Sequence, residues 1–198
     1  MQGNTHRVGG ALCAVGGYMY LQSRGLLPKD MSPMLQLAII YPFAIYGSIF
    51  PDIDHAWPKS PAKDPISFVM NKSIHIGDGN LLNARHRSWQ THSFILPLIS
   101  LIIYWIIQSR LVLQQADGMI LNLILLGFLL GVISHFILDM LTPGGIVLII
   151  PSLMSHKRQT FKLVPKTEFF ITGGKFETFV RWMMCLCLIV LIILIIIG

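Results

Sequence analysis

Long apolar stretches separated by polar loops dominate the pattern of residues along the chain. Three stretches are nearly continuous, and about 20 apolar residues are enough to cross a bilayer as a helix. The two stretches nearest the N-terminus are shorter, and the second contains Pro42. The pattern predicts an all-α, polytopic membrane protein, a single domain over residues 1–198 with about 4–5 transmembrane helices. The predicted helices cover residues 8–22, 33–50, 94–113, 119–141 and 178–197.

Composition supports this class. Hydrophobic residues make up 54% of the chain and charged residues only 12%, whereas a soluble domain has about 25% charged residues. The three cysteines form no CxxC pair, which argues against a disulfide framework and against cysteine-ligated zinc. On a membrane protein, the net charge of +6 indicates topology and attraction to anionic lipid headgroups. We expect no nucleic-acid partner.

The positive charges are distributed unevenly between the two sides of the predicted membrane protein. Twelve of the 15 Lys and Arg residues fall on the side that carries the N-terminus, the loops around residues 51–93 and 142–177, and Arg181 at the start of the last span. Loops rich in Lys and Arg remain in the cytoplasm. The sequence therefore predicts that both large loops are cytoplasmic.

The stretch "GVISHFILDM" carries two ionisable residues, His135 and Asp139, inside an apolar segment. At a spacing of four residues they lie on one face of a helix. Ionisable groups within a membrane helix usually mark a functional site. The structural alternative is a simple pair, in which Asp139 neutralises His135 or Arg87.

Further polar motifs fall on the same predicted side as the end of this helix. "THR" precedes the first apolar segment, "PDIDH" ends the second, and "HRSWQTHS" begins the third. Histidine and carboxylate side chains are ligands for zinc, manganese and iron. Eight candidates exceed one tetrahedral site, which predicts two divalent ions, or one ion with outer residues that orient its ligands. Zinc is favoured and manganese is the alternative. The candidate ligands are His6, Asp52, Asp54, His55, His86, His92, His135 and Asp139.

These motifs carry a resemblance to a known family. With "SHFILDMLTPGG" and "GGKFE", which ends at Glu177, the chain resembles the YdjM-like proteins. They are described as LexA-binding, inner-membrane-bound, metal-dependent hydrolases, a reaction class that is assigned by analogy. The chain departs from the family in "HRSWQTHS", where three residues rather than two separate Arg87 from Thr91. The family is distantly similar to bacterial zinc-dependent phospholipases C and single-strand nucleases.

The resemblance implies metal-dependent hydrolysis at a bacterial inner membrane. Our hypothesis is a phosphoester hydrolase that faces the cytoplasmic leaflet and acts on a lipid or lipid-linked phosphate. Asp54 and His86 are predicted as catalytic residues that also bind or orient the metal, as His55 does. Arg87 is predicted to hold a phosphate oxygen, because its planar fork suits phosphate better than a lysine would. The predicted direct ligands are His6, Asp52, His92, His135 and Asp139.

Two alternatives from other functional classes remain open at this point. An ion or metal transporter could use the same His and Asp residues, and Pro42, Gly127 and Gly131 are compatible with it. Its route should, however, show polar residues through the full membrane depth. A membrane-tethered protein could bind a cytosolic partner through a basic loop such as "PSLMSHKRQTFKLVPK". That function would leave the buried His and Asp residues unexplained.

Overall fold

A computed structural model describes residues 3–54, 92–109, 116–148, 159–163 and 173–197. Within them the chain forms five α-helices, one short 3₁₀ helix (Phe50–Asp54) and two short strands. α1 begins at Gly3, five residues before the predicted start, because the polar residues ahead of the apolar segment continue the helix. The helices are α1 (Gly3–Ser23), α2 (Pro33–Ile49), α3 (Ile95–Ser109), α4 (Ala116–Met140) and α5 (Lys175–Ile197).

The centre of the fold is the packing of α2 against α4, which depends on glycine. A Cβ atom on Gly47 would collide with the carbonyl oxygen of Phe128, and one on Gly131 would collide with that of Ala44. Small residues allow helix backbones to approach closely inside a membrane, where van der Waals packing drives association. Gly131 therefore allows close packing of α4 on α2.

α1 lies across this pair and also makes close contacts through glycine. A Cβ on Gly10 would lie 2.7 Å from the Ala44 carbonyl oxygen and 2.7 Å from Ser48 Cβ. Farther along these helices, away from this contact, Ala14, Ile40 and Leu123 are fully buried in the apolar core. α3 packs on α4 and α5 packs on α1, so both helices lie at the edge of the bundle.

Three segments of the described chain are long and apolar enough to cross a membrane: Pro33–Asp52, Gly118–Met140 and Lys175–Ile197. No residue of the apolar window in the last of them is buried inside the protein, as expected of a helix that faces lipid. The described part of α3 has 15 residues, fewer than the roughly 20 that span a bilayer. The predicted class, a helical membrane protein, is confirmed; three spans rather than 4–5 meet the length criterion within the described ranges.

A small antiparallel sheet adds to the predicted all-helical fold. Strand β1 (Ile146–Leu148) pairs with β2 (Gln159–Phe161) in the register Val147 to Thr160. Ser93 forms a parallel bridge to Val147, whose N–H donates to the carbonyl oxygen of His92 at 2.8 Å. Gly145 turns the chain into β1 with a φ of 61°, a conformation that glycine adopts without strain. The sheet thereby fixes the start of α3 against the end of α4.

Candidate metal centre

Five side chains from four parts of the chain meet where α2 and α4 end. His6 lies in the first turn of α1, and Asp52 lies in the 3₁₀ helix that follows α2. His92 stands just before α3, while His135 and Asp139 occupy the last two turns of α4. Pro51 has no N–H to continue the α-helix. The chain therefore changes to a 3₁₀ helix after α2 and turns toward α4.

Asp139 is at the centre of this cluster. Its carboxylate oxygens lie 3.6 Å from His6 Nε2, 3.7 Å from His92 Nε2 and 3.6 Å from His135 Nε2. The carboxylate is only 1% exposed. Three imidazoles thus face one buried carboxylate through the same ring nitrogen.

Asp52 approaches the same three nitrogens from the end of α2. Its oxygens lie 3.3 Å from His92 Nε2, 3.9 Å from His135 Nε2 and 4.0 Å from His6 Nε2. The Asp52 side chain is 27% exposed, whereas the three histidines are each 1% exposed. Among the described members of the cluster, Asp52 therefore marks the side that opens outward.

These distances are those expected between ligands of one cation. Nitrogen and oxygen ligands bound at about 2.0–2.2 Å lie roughly 3–4 Å from one another. The six histidine-to-carboxylate distances range from 3.3 to 4.0 Å. Two ligand groups overlap at His135, one with His6 and Asp52 and the other with His92 and Asp139. The donor set could hold a metal ion.

The protonation of His135 supports the same conclusion. Its Nδ1 lies 2.7 Å from the carbonyl oxygen of Ser48, and a carbonyl can only accept, so Nδ1 carries the proton. In the neutral imidazole, Nε2 then presents a lone pair. That lone pair is buried and has no hydrogen-bond partner among the described residues. A lone pair facing two carboxylates is unfavourable unless a proton or a metal cation lies between them.

His6 is held differently. Its ring stacks on that of His135, with centroids 3.9 Å apart and an interplanar angle of 16°. Neither ring nitrogen of His6 has a hydrogen-bond partner within the described parts of the chain. Burial lowers the pKa of His6 well below its ordinary value, and the neighbouring His135 lowers that pKa further. The ring is therefore neutral near pH 7, which is the state that binds a metal.

The structure brings together five of the eight predicted ligands. His6, Asp52, His92, His135 and Asp139 all reach the cluster. The structure does not describe His55, His86, Arg87 or the side chain of Asp54. Their roles therefore remain predictions.

Sequence reasoning did not assign roles to two groups beside the cluster. One is the Ser48 carbonyl oxygen, which orients His135 and has no signal in the sequence. The other is Glu177, which is 3% exposed and accepts a hydrogen bond from Thr5, the neighbour of His6. A lone acidic residue in the first turn of a mainly apolar helix was the available signal for it.

Comparison with known proteins assigns the chain to a family. The model of a family described as YdjM inner membrane protein matches residues 1–198, the whole chain. The chain belongs to the YdjM family. It is also similar to the uncharacterized protein YvsG of Bacillus subtilis (strain 168), with 30% identity over 153 residues, 77% of this chain and 74% of the relative. No solved structure matches the chain. YdjM membership and the apolar helices together indicate a membrane protein.

Proposed function

We propose that this YdjM-family protein is a metal-dependent phosphoester hydrolase that acts on a lipid or lipid-linked phosphate at the cytoplasmic face of the inner membrane. One observation carries the proposal. The Nε2 atoms of three histidines each lie 3.3 to 4.0 Å from both aspartate carboxylates. The buried Nε2 atoms of His6 and His135 have no hydrogen-bond partner in the described structure.

The five side chains of the cluster would have different roles. His6, His92 and His135 would hold one divalent cation through neutral ring nitrogens, with Asp52 and Asp139 as anionic ligands. A cation in such a site supplies Lewis acidity and promotes the ionisation of water near neutral pH. The hydrogen bond from His135 to Ser48 fixes the ring before any ligand arrives. Zinc suits this mixture of nitrogen and oxygen ligands, and manganese is the alternative.

Substrate would approach beside Asp52, since the other four side chains are each 1% exposed. In the sequence, Asp54 and His55 follow Asp52, and His86 and Arg87 precede His92. All four residues thus lie within six positions of a candidate ligand along the chain. This connection supports catalytic roles for Asp54 and His86 and a phosphate-binding role for Arg87.

The depth of the site favours a membrane substrate. Asp52 is the last residue of one apolar span, and Asp139 is the next-to-last residue of another. The ends of apolar spans lie near the headgroup region of a bilayer. A phosphoester of a lipid would therefore meet the cluster without leaving the membrane surface.

The packing between α2 and α4 weighs against a transporter. Beyond the site, the described interface is closed by backbone contacts at Gly127 and Gly131. The buried residues of α4 in that region are mostly apolar, among them Leu123, Leu126 and Val132. An ion route should instead be lined by polar groups through the membrane.

The test begins with metal content. Elemental mass spectrometry on gently purified protein should find about one zinc or manganese ion per chain, as five ligands around one ion imply. Asp139→Asn should remove it, whereas Asp30→Asn, an exposed aspartate in another loop, should retain it.

The hydrolysis test follows with the same variants. Wild type should release product from vesicles of anionic phospholipid, and Asp139→Asn should not. Activity on a soluble phosphodiester alone would contradict a lipid substrate. A metal-free wild type that equals Asp139→Asn in metal content would refute the hydrolase, and retained binding of a cytosolic partner by both would then favour the interaction protein.

A further inference from the structure

α5 is apolar and faces outward, yet it contains a buried carboxylate. Glu177 is the only buried residue that the structure describes in this helix. Its Oε1 accepts a hydrogen bond from Thr5 Oγ1 at 2.6 Å, and its Oε2 accepts one from the Gly173 N–H at 2.6 Å. Both oxygens are therefore satisfied, as a buried carboxylate requires.

Glu177 reaches the residue that precedes a candidate ligand. Thr5 is fully buried in the first turn of α1, and His6 follows it directly. The hydrogen bond to Glu177 therefore ties this turn of α1 to the first turn of α5.

The position of the His6 ring depends on the hydrogen bond between Thr5 and Glu177, whereas the His135 ring has a hydrogen-bond acceptor of its own. A metal-binding histidine usually donates its second ring N–H to an acceptor that fixes the ring. His135 has such an acceptor in Ser48, at 2.7 Å. His6 Nδ1 has none within the described residues, so the backbone of the first turn of α1 must set the position of the ring.

From this arrangement we propose that Glu177 is a positioning residue of the metal centre, which holds His6 in place through the side chain of Thr5. The inference rests on the proposed metal site. If Glu177 served only to hold α5 against α1, an apolar contact could do so without burying a charge. The carboxylate instead fixes one atom of the residue beside His6, which is what a ligand without its own acceptor needs.

The test measures metal binding in four single variants of the full-length protein in detergent. Thr5→Val removes the hydroxyl at nearly constant shape, and Glu177→Gln removes one of the two acceptor oxygens. Thr5→Ser retains the hydroxyl. Thr178→Val is the matched control, because Thr178 Oγ1 donates to Gly174 O at 3.2 Å in the same turn of α5.

Co²⁺ is the probe, since its visible absorption reports the ligands and their geometry as well as the affinity. Thr5→Val and Glu177→Gln should each weaken Co²⁺ binding about 10–100-fold, the usual effect of losing a residue that orients a ligand, and should change the spectrum. Thr5→Ser should restore both properties, and Thr178→Val should match wild type. The double variant should bind Co²⁺ no more weakly than the weaker of the two single variants, because both substitutions perturb the one contact between Thr5 and Glu177.

The outcomes separate this inference from the proposed function. A wild type that binds no Co²⁺ would overturn the metal site itself. Normal wild-type binding, with Thr5→Val and Glu177→Gln equal to it in affinity and spectrum, would overturn only the positioning role. If Thr5→Val fails to fold, Glu177→Gln and Thr5→Ser test the positioning role instead. A Thr5→Ser spectrum unlike that of wild type would count against that role.

Discussion

The α2–α4 pair differs between its middle, where the two backbones meet at glycines, and its site end, which carries the candidate metal centre. In the middle, Gly47 and Gly131 bring the backbone of each helix against that of the other. At the end, His135 and Asp139 project from α4 toward Asp52. The buried side chains of the middle are mostly apolar, whereas those at the site end are ionisable.

The comparison shows that the packing of the middle and the chemistry of the end are coupled. Gly131 precedes His135 by one helical turn, and a Cβ on it would lie 2.7 Å from the Ser48 nitrogen. The carbonyl oxygen of Ser48 orients His135. A change that separates the helices in the middle should therefore reach the metal site, although it touches no ligand.

The largest effect is expected at the site end, from Asp139→Asn. The substitution removes the buried anion that faces three imidazole nitrogens at 3.6 to 3.7 Å, so metal content should fall to background. Ligand that binds only the folded state stabilises it by about 2.7 kcal/mol at 100 times Kd. Zinc should therefore raise the melting temperature of wild type and leave that of Asp139→Asn unchanged. An equal zinc response in both proteins would remove Asp139 from the ligand set.

The next effect is expected in the middle, from Gly131→Ala. The added methyl group would collide with the Ala44 carbonyl oxygen, and overpacking of this kind typically costs about 1–3 kcal/mol. The variant should melt earlier in detergent and bind zinc more weakly. Gly16→Ala is the control, because among the described residues its Cβ would meet only Leu191 Cδ1, at an ordinary 3.7 Å. If the two variants behave alike, close packing at Gly131 does not govern the site.

A smaller effect is expected from Asp52→Asn. Asp52 is 27% exposed, so solvent can occupy part of the space of the lost ligand. We expect zinc affinity to fall about tenfold, equivalent to about 1.4 kcal/mol, in a titration against a chelator of known affinity. A loss as complete as that in Asp139→Asn would mean that exposure does not distinguish the two carboxylates.

The smallest effect is expected from Ser48→Ala. His135 uses the backbone carbonyl oxygen of Ser48, while the hydroxyl donates to Ile45 O within α2 at 2.7 Å. Melting temperature should change by the equivalent of about 1 kcal/mol or less, and zinc content should match wild type. A variant that loses zinc would show that the Ser48 side chain itself supports the site.

Much of the fold and part of the site could be predicted from local sequence. Apolar length predicted the helices, and the spacing of His135 and Asp139 predicted that they share a face. The boundaries were less certain, since polar residues extend α1 back to Gly3. The β1–β2 hairpin was not predicted, because a strand of three residues is too short to produce a pattern.

The sequence by itself determined which residues could bind a metal and which segments could lie in lipid, because ligand chemistry and hydropathy belong to individual residues and short segments. Only the tertiary structure decided that His6, 129 positions from His135 in the numbering, stacks on it at 3.9 Å. It also decided the tautomer of His135 and the link from Glu177 to Thr5. These features depend on how closely the helices approach one another, and that distance is set by side chains meeting across separate parts of the chain.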